Sequence, residues 1–474
     1  MLHETLALHW ISLHGALTML ALGIYLVASR IHRQRRHPSA AMAWILSLAL
    51  IPYLALPMYL LFGNRKVARD HSMARTLPTV RTLAKVGGPA DRLQILANTM
   101  GLPSASNYLR FELHEDGRHA RQALFSSIDQ AATTLDLSMF LIGKDVLGQE
   151  VGAHLIQKAR AGVQVRLLID GVGFYLGGHP DLAPLAAAGV CVARFVSPLK
   201  SALPGRTNLR NHRKMVIADG QRLWMGGRNL ASEYFEGDPT DMRSKSPWID
   251  LSFDLDGAIA AQAQVQFNQD WAFATRQDPI ISASAQETPA ATPSDTPATV
   301  QWLPSGPDQA EDTIYALLIS SIFAAQTSIL AVSPYFVPDP TLQMALALAA
   351  KRGVDVQLVL PHQSNHPLAD MARHAALREL SASGARIWLV PGMIHAKCVV
   401  IDDGIVLAGS ANLDERSLFL NYEVMVAFYD PSDVAKFVRW ISRQRDRAQP
   451  YTANAPGWLR ELAEGVVRWL AFQL

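Results

Sequence analysis

A histidine, a lysine, an aspartate and an asparagine occur twice in this chain at the same spacing. The two sets are His212, Lys214, Asp219 and Asn229, and His395, Lys397, Asp402 and Asn412. In both sets the lysine follows the histidine by two positions, and the asparagine closes a Gly-Gly-Arg-Asn or Gly-Ser-Ala-Asn run. A single His-x-Lys carries little information, whereas two copies with identical internal spacing argue against chance.

Two imidazoles, two ammonium groups and two amides form a set suited to a phosphate diester. One imidazole can attack phosphorus while a second, protonated imidazole donates to the leaving oxygen. The lysine ammonium groups and asparagine amides can neutralise the equatorial oxygens, which hold charge through the transition state. This chemistry requires neither a metal ion nor an organic cofactor.

The elements that position these side chains can be predicted from the residues that follow each lysine. Residues 215–217 and 398–401 are apolar and partly β-branched, which predicts buried strands. Residues two apart on a strand share a face, so each histidine and its lysine are expected on one face of a strand. Asp219 and Asp402 precede hairpin-turn signals, so we interpret them as fixing the turn rather than touching substrate.

The doubled motif resembles the signature of the phospholipase D superfamily. The resemblance implies a catalytic set made of both motifs, with His212 as nucleophile and His395 as general acid. It also implies substrate binding by Asn229 and Asn412 with the neighbouring Gly227 and Ser410, and orientation of the imidazoles by acidic residues.

Two acidic residues are candidates for orienting the imidazoles. Asp250 follows the first motif and Glu423 follows the second closely. We expect Glu423 to be the nearer carboxylate to His395 and to favour its protonated form. Arg210 and Arg213 are expected to favour the neutral form of His212.

An order of helix, strand, helix and strand precedes both motifs. The predicted elements are residues 123–134, 135–142, 151–161 and 162–170, and residues 313–326, 329–336, 342–350 and 353–360. The repeat predicts an α/β protein of two domains with mixed sheets. One motif per half requires the halves to meet at their motif faces, in the pseudo-twofold arrangement that the resemblance also implies.

The predicted domain boundaries follow changes in composition. The predicted segments are a transmembrane hairpin at 1–65, a connector at 66–110, the first phospholipase D-type domain at 111–276, a flexible linker at 277–299, the second domain at 300–446 and a C-terminal amphipathic helix at 447–474. The linker is rich in Pro, Ala, Ser and Thr. The C-terminal helix either packs on the domain or lies on lipid.

The N-terminal region contains two long uncharged stretches. Residues 5–29 and 39–62 have no formally charged side chain, and each is long enough to cross a hydrocarbon core of about 30 Å. They predict a transmembrane hairpin, with a pair of buried core helices as the alternative. The loop between them and the segment after them carry four Lys and Arg residues each, so the side of the membrane stays open.

Composition restricts the class of partner. Lys and Arg number 43 and Asp and Glu number 41, so the strongly basic field of many nucleic-acid-binding proteins is absent. The chain has two cysteines, and Cys398 lies within an apolar strand, so a disulfide framework is excluded. A nucleic-acid partner is therefore not expected.

Three features refine the resemblance towards bacterial membrane-bound cardiolipin synthases. They are the N-terminal hairpin, the run from Arg210 to Lys214, and residues 391–394 before the second motif. The resemblance implies transfer of a phosphatidyl group between two phosphatidylglycerol molecules through a phosphatidyl-histidine, without cofactor or metal, by a multi-pass protein of the bacterial inner (cytoplasmic) membrane. The alternatives are a membrane-anchored phospholipase D, a transferase with another donor such as phosphatidylethanolamine, and an inactive lipid-binding scaffold. Oligomeric state and lipid-chain preference stay open.

Overall fold

The computed structural model describes residues 2–31, 38–63, 88–196, 208–237, 246–277 and 299–470. Most of the predicted linker, residues 278–298, and much of the predicted connector, residues 66–87, lie outside these ranges.

The first half of the chain forms a seven-stranded mixed sheet. Its strands are β1 Tyr108–His114, β2 Thr134–Met139, β3 Gln164–Asp170, β4 Cys191–Phe195, β5 Met215–Ala218, β6 Arg222–Gly226 and β7 Ser252–Gly257. The spatial order is β1-β7-β6-β5-β2-β3-β4, in which β2, β3 and β4 are parallel and the other pairs antiparallel.

The second half repeats this sheet. Its strands are β8 Val300–Ser305, β9 Ser328–Val332, β10 Phe336–Val337, β11 Asp355–Pro361, β12 Arg386–Val390, β13 Cys398–Ile401, β14 Ile405–Gly409, β15 Leu413–Asp414, β16 Glu423–Phe428 and β17 Gln449–Pro450. The eight-stranded order is β17-β12-β11-β9-β13-β14-β16-β8, while β10 and β15 pair separately. Without β17 the order matches the first sheet, which confirms the prediction of two α/β domains with mixed sheets.

Helices cover the sheets and extend to both ends of the described chain. They are α1 Leu2–Ile31, α2 Pro38–Leu50, α3 Pro52–Phe62, α4 Pro89–Thr99, α5 Gly117–Asp129, α6 Val146–Arg160, α7 Gly171–Leu176, α8 Ala183–Ala187, α9 Ala258–Thr275, α10 Thr313–Ala324, α11 Pro340–Lys351, α12 Pro367–Ala382, α13 Glu415–Phe419, α14 Pro431–Asp446 and α15 Trp458–Leu470. Several begin at an aspartate whose carboxylate accepts from backbone N–H groups of the first turn, for example Asp145 at α6 and Asp339 at α11.

The strand predicted at 329–336 is shorter in the structure. β9 ends at Val332, and Phe336 belongs to the separate two-residue strand β10. Pro334 lies between them and has no N–H to donate, so a sheet ladder is not expected to continue through it.

An apolar core shared by both halves fixes how the sheets face each other. Phe111 and Phe253 of the first sheet pack on Phe428 of the second, with ring centroids 4.9 and 5.3 Å apart, and Phe437 of α14 closes the cluster. All but Phe111 are almost completely buried. Because this core is continuous, the two motif regions are held in one fixed relation.

The N-terminal helices differ from the predicted pair of spans. The second stretch is divided at Ile51, where α2 ends before the proline that starts α3. Among the residues that the structure describes, none of the helices combines the length and the apolarity that crossing a membrane requires. The predicted transmembrane hairpin is therefore not confirmed.

The C-terminal helix α15 packs on α12. Arg378 of α12 donates to Glu464 of α15 at 2.6 Å, and Val467 packs against a small apolar cluster that contains Ala369 and Ala372. Trp458 and Leu459, at the start of α15, are exposed by 73% and 64%. The packed position is one of the two alternatives that the sequence leaves open.

Candidate active site

The two motif histidines lie just before their strands and not on them. β5 and β13 begin at Met215 and Cys398, one residue after each lysine. The His212 N–H donates to the carbonyl of Tyr422 at 2.9 Å, and the His395 N–H donates to the carbonyl of Ile249 at 2.7 Å. The prediction that the histidines lie on the strands is wrong, because their backbones pair with the opposite half of the molecule.

Each imidazole is paired with a carboxylate of the opposite half. His212 Nδ1 lies 2.9 Å from Glu423 Oε1, and His395 Nδ1 lies 2.8 Å from Asp250 Oδ2. The expectation that Glu423 would be the partner of His395 is therefore wrong. The face-to-face packing places the start of β16 beside the first motif, although Glu423 is close to the second motif in sequence.

Burial strongly perturbs the titration of this site. It lowers the pKa of His212 to about 4 and that of His395 to about 3, although the paired carboxylates act in the opposite direction. Burial also raises the pKa of Glu423 and of Asp250, but the imidazoles and the lysines outweigh it and bring both below their ordinary values. At neutral pH without substrate, the site thus contains two neutral imidazoles and two carboxylates.

The motif lysines lie against their own histidines. Lys214 Nζ donates to the carbonyl of His212 at 2.7 Å, and Lys397 Nζ lies 2.8 and 2.9 Å from the two ring nitrogens of His395. Burial lowers the pKa of Lys397 to about 8 and lowers that of Lys214 well below its ordinary value. A bound phosphate would favour the charged form of both ammonium groups.

Gly227 and Ser410 occupy equivalent positions and support the two carboxylates differently. Ser410 Oγ donates to Glu423 Oε2 at 2.5 Å, and Asn421 Nδ2 donates to its other oxygen at 3.2 Å. A Cβ added at Gly227 would lie 2.2 Å from Asp250 Oδ1. The second half therefore holds Glu423 with a hydroxyl group. In the first half, the absence of a side chain at Gly227 leaves space for Asp250.

Asn229 and Asn412 are both buried close to the motif strands, at 1% and 5% exposure. Asn229 hydrogen-bonds Tyr234, and Asn412 hydrogen-bonds Asp414. Within the described ranges, the Oδ1 atom of each has no hydrogen-bond partner.

Asp219 and Asp402 lie at the far ends of the motif strands. Asp219 accepts from the backbone N–H groups of residues 132–134 at 2.7–2.9 Å, and Asp402 accepts from those of residues 326–328 at 2.7–3.0 Å. Both have a left-handed backbone, with φ of 55° and 51°. At roughly 3.3 Å per extended residue, the seven residues from each histidine to its aspartate span about 23 Å. These carboxylates therefore bind the chain that leads into β2 and β9, the strands that pair with β5 and β13, and only the left-handed backbone belongs to the turns themselves.

Arg213, between His212 and Lys214, is completely buried and was not predicted as an interface residue. Its Nη1 donates to Asp270 of α9 at 2.5 Å, and its Nη2 lies 3.2 Å from Asp308 of the second half. Its Nε donates to the carbonyl of Glu423 at 3.1 Å. No local pattern reveals these contacts, because the two aspartates are 57 and 95 residues away.

Aromatic rings border both imidazoles. The rings of Tyr234, Trp248 and Tyr335 lie 5.1, 5.4 and 6.5 Å from the ring of His395, measured between centroids. Phe140 lies 5.1 Å from the ring of His212. These rings make the His395 side of the site the more enclosed one.

Comparisons with known proteins identify the family of the chain. A family model described as "Cardiolipin synthase, PLD-like domain" matches residues 124–271 and 318–445, and a phospholipase D-nuclease N-terminal model matches residues 20–64. Cardiolipin synthase A of Pseudomonas entomophila strain L48 is 31% identical over 437 residues, covering 88% of this chain and 89% of that protein. Cardiolipin synthase of Halalkalibacterium halodurans is 29% identical over 441 residues, covering 90% and 86%.

A solved structure shows the same fold. Phosphatidylserine synthase from Haemophilus influenzae Rd KW20 covers 82% of this chain and 100% of its own, with a TM-score of 0.58 and 16% identity. Together with the family match, this confirms the resemblance inferred from the doubled motif.

Proposed function

This chain belongs to the cardiolipin synthase type of the phospholipase D-like family and is a phosphatidyltransferase, and from that premise we propose that it makes cardiolipin. The proposed reaction transfers a phosphatidyl group from one phosphatidylglycerol to a hydroxyl of another and releases glycerol. The observation that carries the proposal is the meeting of both His-Lys pairs with Glu423 and Asp250 at the interface of the halves.

We propose His212 as the nucleophile. With its Nδ1 proton donated to Glu423, the lone pair of His212 lies on Nε2 and can attack phosphorus. The side chain of His212 is 12% exposed, compared with 4% for His395, and Lys397 contacts both ring nitrogens of His395. His212 is therefore the more accessible imidazole.

We propose His395 as the general acid and base. It donates a proton to the leaving glycerol oxygen as the P–N bond to His212 forms and the first P–O bond breaks. It then takes a proton from the acceptor hydroxyl as the second P–O bond forms and the P–N bond to His212 breaks. An anionic phosphate beside the imidazole raises its pKa and so supplies the protonated form in the complex.

The lysines and asparagines would hold the transferred phosphoryl group. Lys214, Lys397, Asn229 and Asn412 can donate to its equatorial oxygens, where charge is held during both displacements. The rings of Tyr234, Trp248 and Tyr335 restrict water on the His395 side, where the acceptor enters. Restricting water favours a lipid hydroxyl over hydrolysis of the phosphatidyl-histidine.

We also propose attachment to the bacterial cytoplasmic membrane through residues 5–29 and 39–62. The support is their lack of formal charge together with the N-terminal family match at 20–64. Washing membranes with alkaline carbonate should leave the full chain in the pellet. Release of the protein into the supernatant would contradict insertion.

The decisive experiment supplies labelled phosphatidylglycerol to the full chain reconstituted in vesicles. We expect labelled cardiolipin and an equal amount of glycerol, with the His395→Ala variant as an inactive control. Phosphatidic acid in place of cardiolipin would identify a phospholipase D. Absence of both products would refute an active transferase.

A second experiment identifies the nucleophile. Brief exposure to labelled phosphatidylglycerol followed by alkaline quenching should leave a base-stable phosphoramidate, which peptide mapping should locate on His212. A label on His395, with His212 unmodified, would reverse the two roles.

A further inference from the structure

Exposed apolar side chains occur on two helices that begin beside the two histidines. α7 and α12 follow β3 and β11, which hold equivalent places in the two sheets. β5 and β13 run antiparallel to β2 and β9. Each motif therefore begins beside the C-terminal ends of the parallel strands of its sheet. Both helices therefore start at the C-terminal ends of these parallel strands, where the histidines also lie.

The helix α7 is connected to His212 through single intervening residues. Asp170, the N-cap of α7, accepts from the backbone N–H of Asn211 at 2.9 Å. Gly173 of α7 packs on the carbonyl of Phe140, whose ring contacts His212. Two residues further on, Tyr175 and Leu176 are 38% and 67% exposed.

The helix α12 is connected to His395 through the side chain of Tyr335. Ala369 and Ala372 of α12 pack in a cluster with Tyr335, whose ring lies 6.5 Å from that of His395. On the same helix Leu368 and Met371 are 50% and 38% exposed.

Val146 adds a fifth exposed apolar residue to the first side. It is 41% exposed and begins α6, and the preceding Lys144 donates its backbone N–H to the carbonyl of Gly177 at 2.8 Å. The side chain of Lys144 is itself exposed. We call Val146, Tyr175, Leu176, Leu368 and Met371 the apolar rim.

We propose that the apolar rim is the surface through which the catalytic body docks on an anionic phospholipid bilayer, with the mouth of the site facing the lipid. The inference rests on the proposed function, because a lipid substrate held between His212 and His395 must leave its acyl chains outside the site. Apolar residues on both sides of the mouth would insert among those chains, and Lys144 would meet the anionic head groups. The occupant is a lipid surface, since the rim is continuous with the site that receives the lipid.

The test compares two substrates in the full chain reconstituted in vesicles. One substrate is long-chain phosphatidylglycerol in the bilayer, and the other is a short-chain phosphatidylglycerol supplied below its micelle concentration. The double variant Leu176→Ser with Leu368→Ser should lose roughly tenfold per leucine on the bilayer substrate, because each substitution removes a large apolar contact. On the monomeric substrate it should stay within about twofold of the wild type. Equal losses on both substrates, or no loss on either, would overturn the proposal.

A matched control comes from Leu109, which is 86% exposed on β1, at the opposite edge of the first sheet from β4. Leu109→Ser should leave both activities unchanged. A loss on the bilayer substrate equal to that of the rim variant would also overturn the proposal.

A binding measurement keeps the inference independent of catalysis. A polarity-sensitive dye on Leu176→Cys, in a Cys191→Ser background, should shift to the blue on vesicles of phosphatidylglycerol and be quenched by brominated lipid. The same dye on Leu109→Cys should not respond. If the wild type forms no cardiolipin yet the dye at 176 inserts, the proposed function fails while the docking surface stands. If cardiolipin forms and the dye at 176 stays in water, the docking surface fails alone.

Discussion

Replacing Gly227 with alanine should disable the enzyme by moving one carboxylate. The new Cβ would lie 2.2 Å from Asp250 Oδ1 and 2.9 Å from both Cγ and Oδ2. Asp250 is completely buried and its Oδ1 also accepts from the N–H of Leu251 at 2.7 Å, so the clash cannot be relieved into solvent. A normal contact requires a shift of about 1 Å, and a displacement of that size at a reacting centre can cost about a hundredfold in rate.

The matched control is the equivalent position in the other half. Ser410→Ala introduces no atom and removes the hydroxyl that donates to Glu423 and accepts from the N–H of Val424 at 3.0 Å, while Glu423 keeps Asn421 Nδ2 at 3.2 Å and His212. A hydrogen bond to a charged group is worth about 1.5–3 kcal/mol, and because Asn421 and His212 still hold Glu423 in place we expect the low end of that range, a loss of about tenfold.

The assay measures kcat and KM for cardiolipin formation, together with circular dichroism and thermal unfolding of each variant. Gly227→Ala should lower kcat by about a hundredfold at nearly unchanged KM, in a protein that remains folded. A folded Gly227→Ala protein with turnover within about twofold of wild type would refute the reasoning, because Asp250 would then tolerate displacement from His395.

Four further predictions concern the motif and its supports. His212→Ala and His395→Ala should each lower cardiolipin formation by at least about a hundredfold, and near-normal turnover by either would defeat the two-histidine mechanism. Lys214→Ala and Lys397→Ala should lose most activity with unchanged circular dichroism, since their ammonium groups act on the phosphate; normal kcat in either would contradict that role. Arg213→Met should destabilise the protein by about 3–5 kcal/mol in denaturant unfolding, since Asp270 is left buried without its cation, whereas exposed Arg118→Ala should cost about 1 kcal/mol or less. Asp219→Asn should lower the unfolding temperature at neutral pH, and the difference from wild type should shrink as the pH falls towards 2. Burial raises the Asp219 pKa, but backbone N–H groups outweigh it and lower the pKa to about 2. Its stabilisation is therefore fully present above the unfolded value of 3.8 and is lost as the pH falls from there through about 2; a pH-independent difference would contradict this account.

The sequence determined which groups carry the chemistry. Two copies of His-x-Lys with identical spacing identify the imidazoles and the ammonium groups without any structure. The apolar runs after each lysine predicted the motif hairpins, and the repeated order of helices and strands predicted two mixed sheets, because both signals depend on residues that are close in the chain. The turn signals at Asp219 and Asp402 agree with their left-handed backbone, whereas the backbone N–H groups that their carboxylates bind are 86 and 75 residues away and could not be predicted locally.

Only the tertiary structure decided which carboxylate serves which imidazole. The two pairs join residues 211 and 145 positions apart, and proximity in sequence suggested the wrong partner for Glu423. The same limit applies to the need for glycine at 227 and to the contacts of Arg213 with Asp270 and Asp308. Such contacts arise because the two equivalent sheets pack through a shared core. This packing places the carboxylate of each half beside the histidine of the other half. Local spacing predicts the strands within each half, whereas the packing between halves depends on the shape of the whole core.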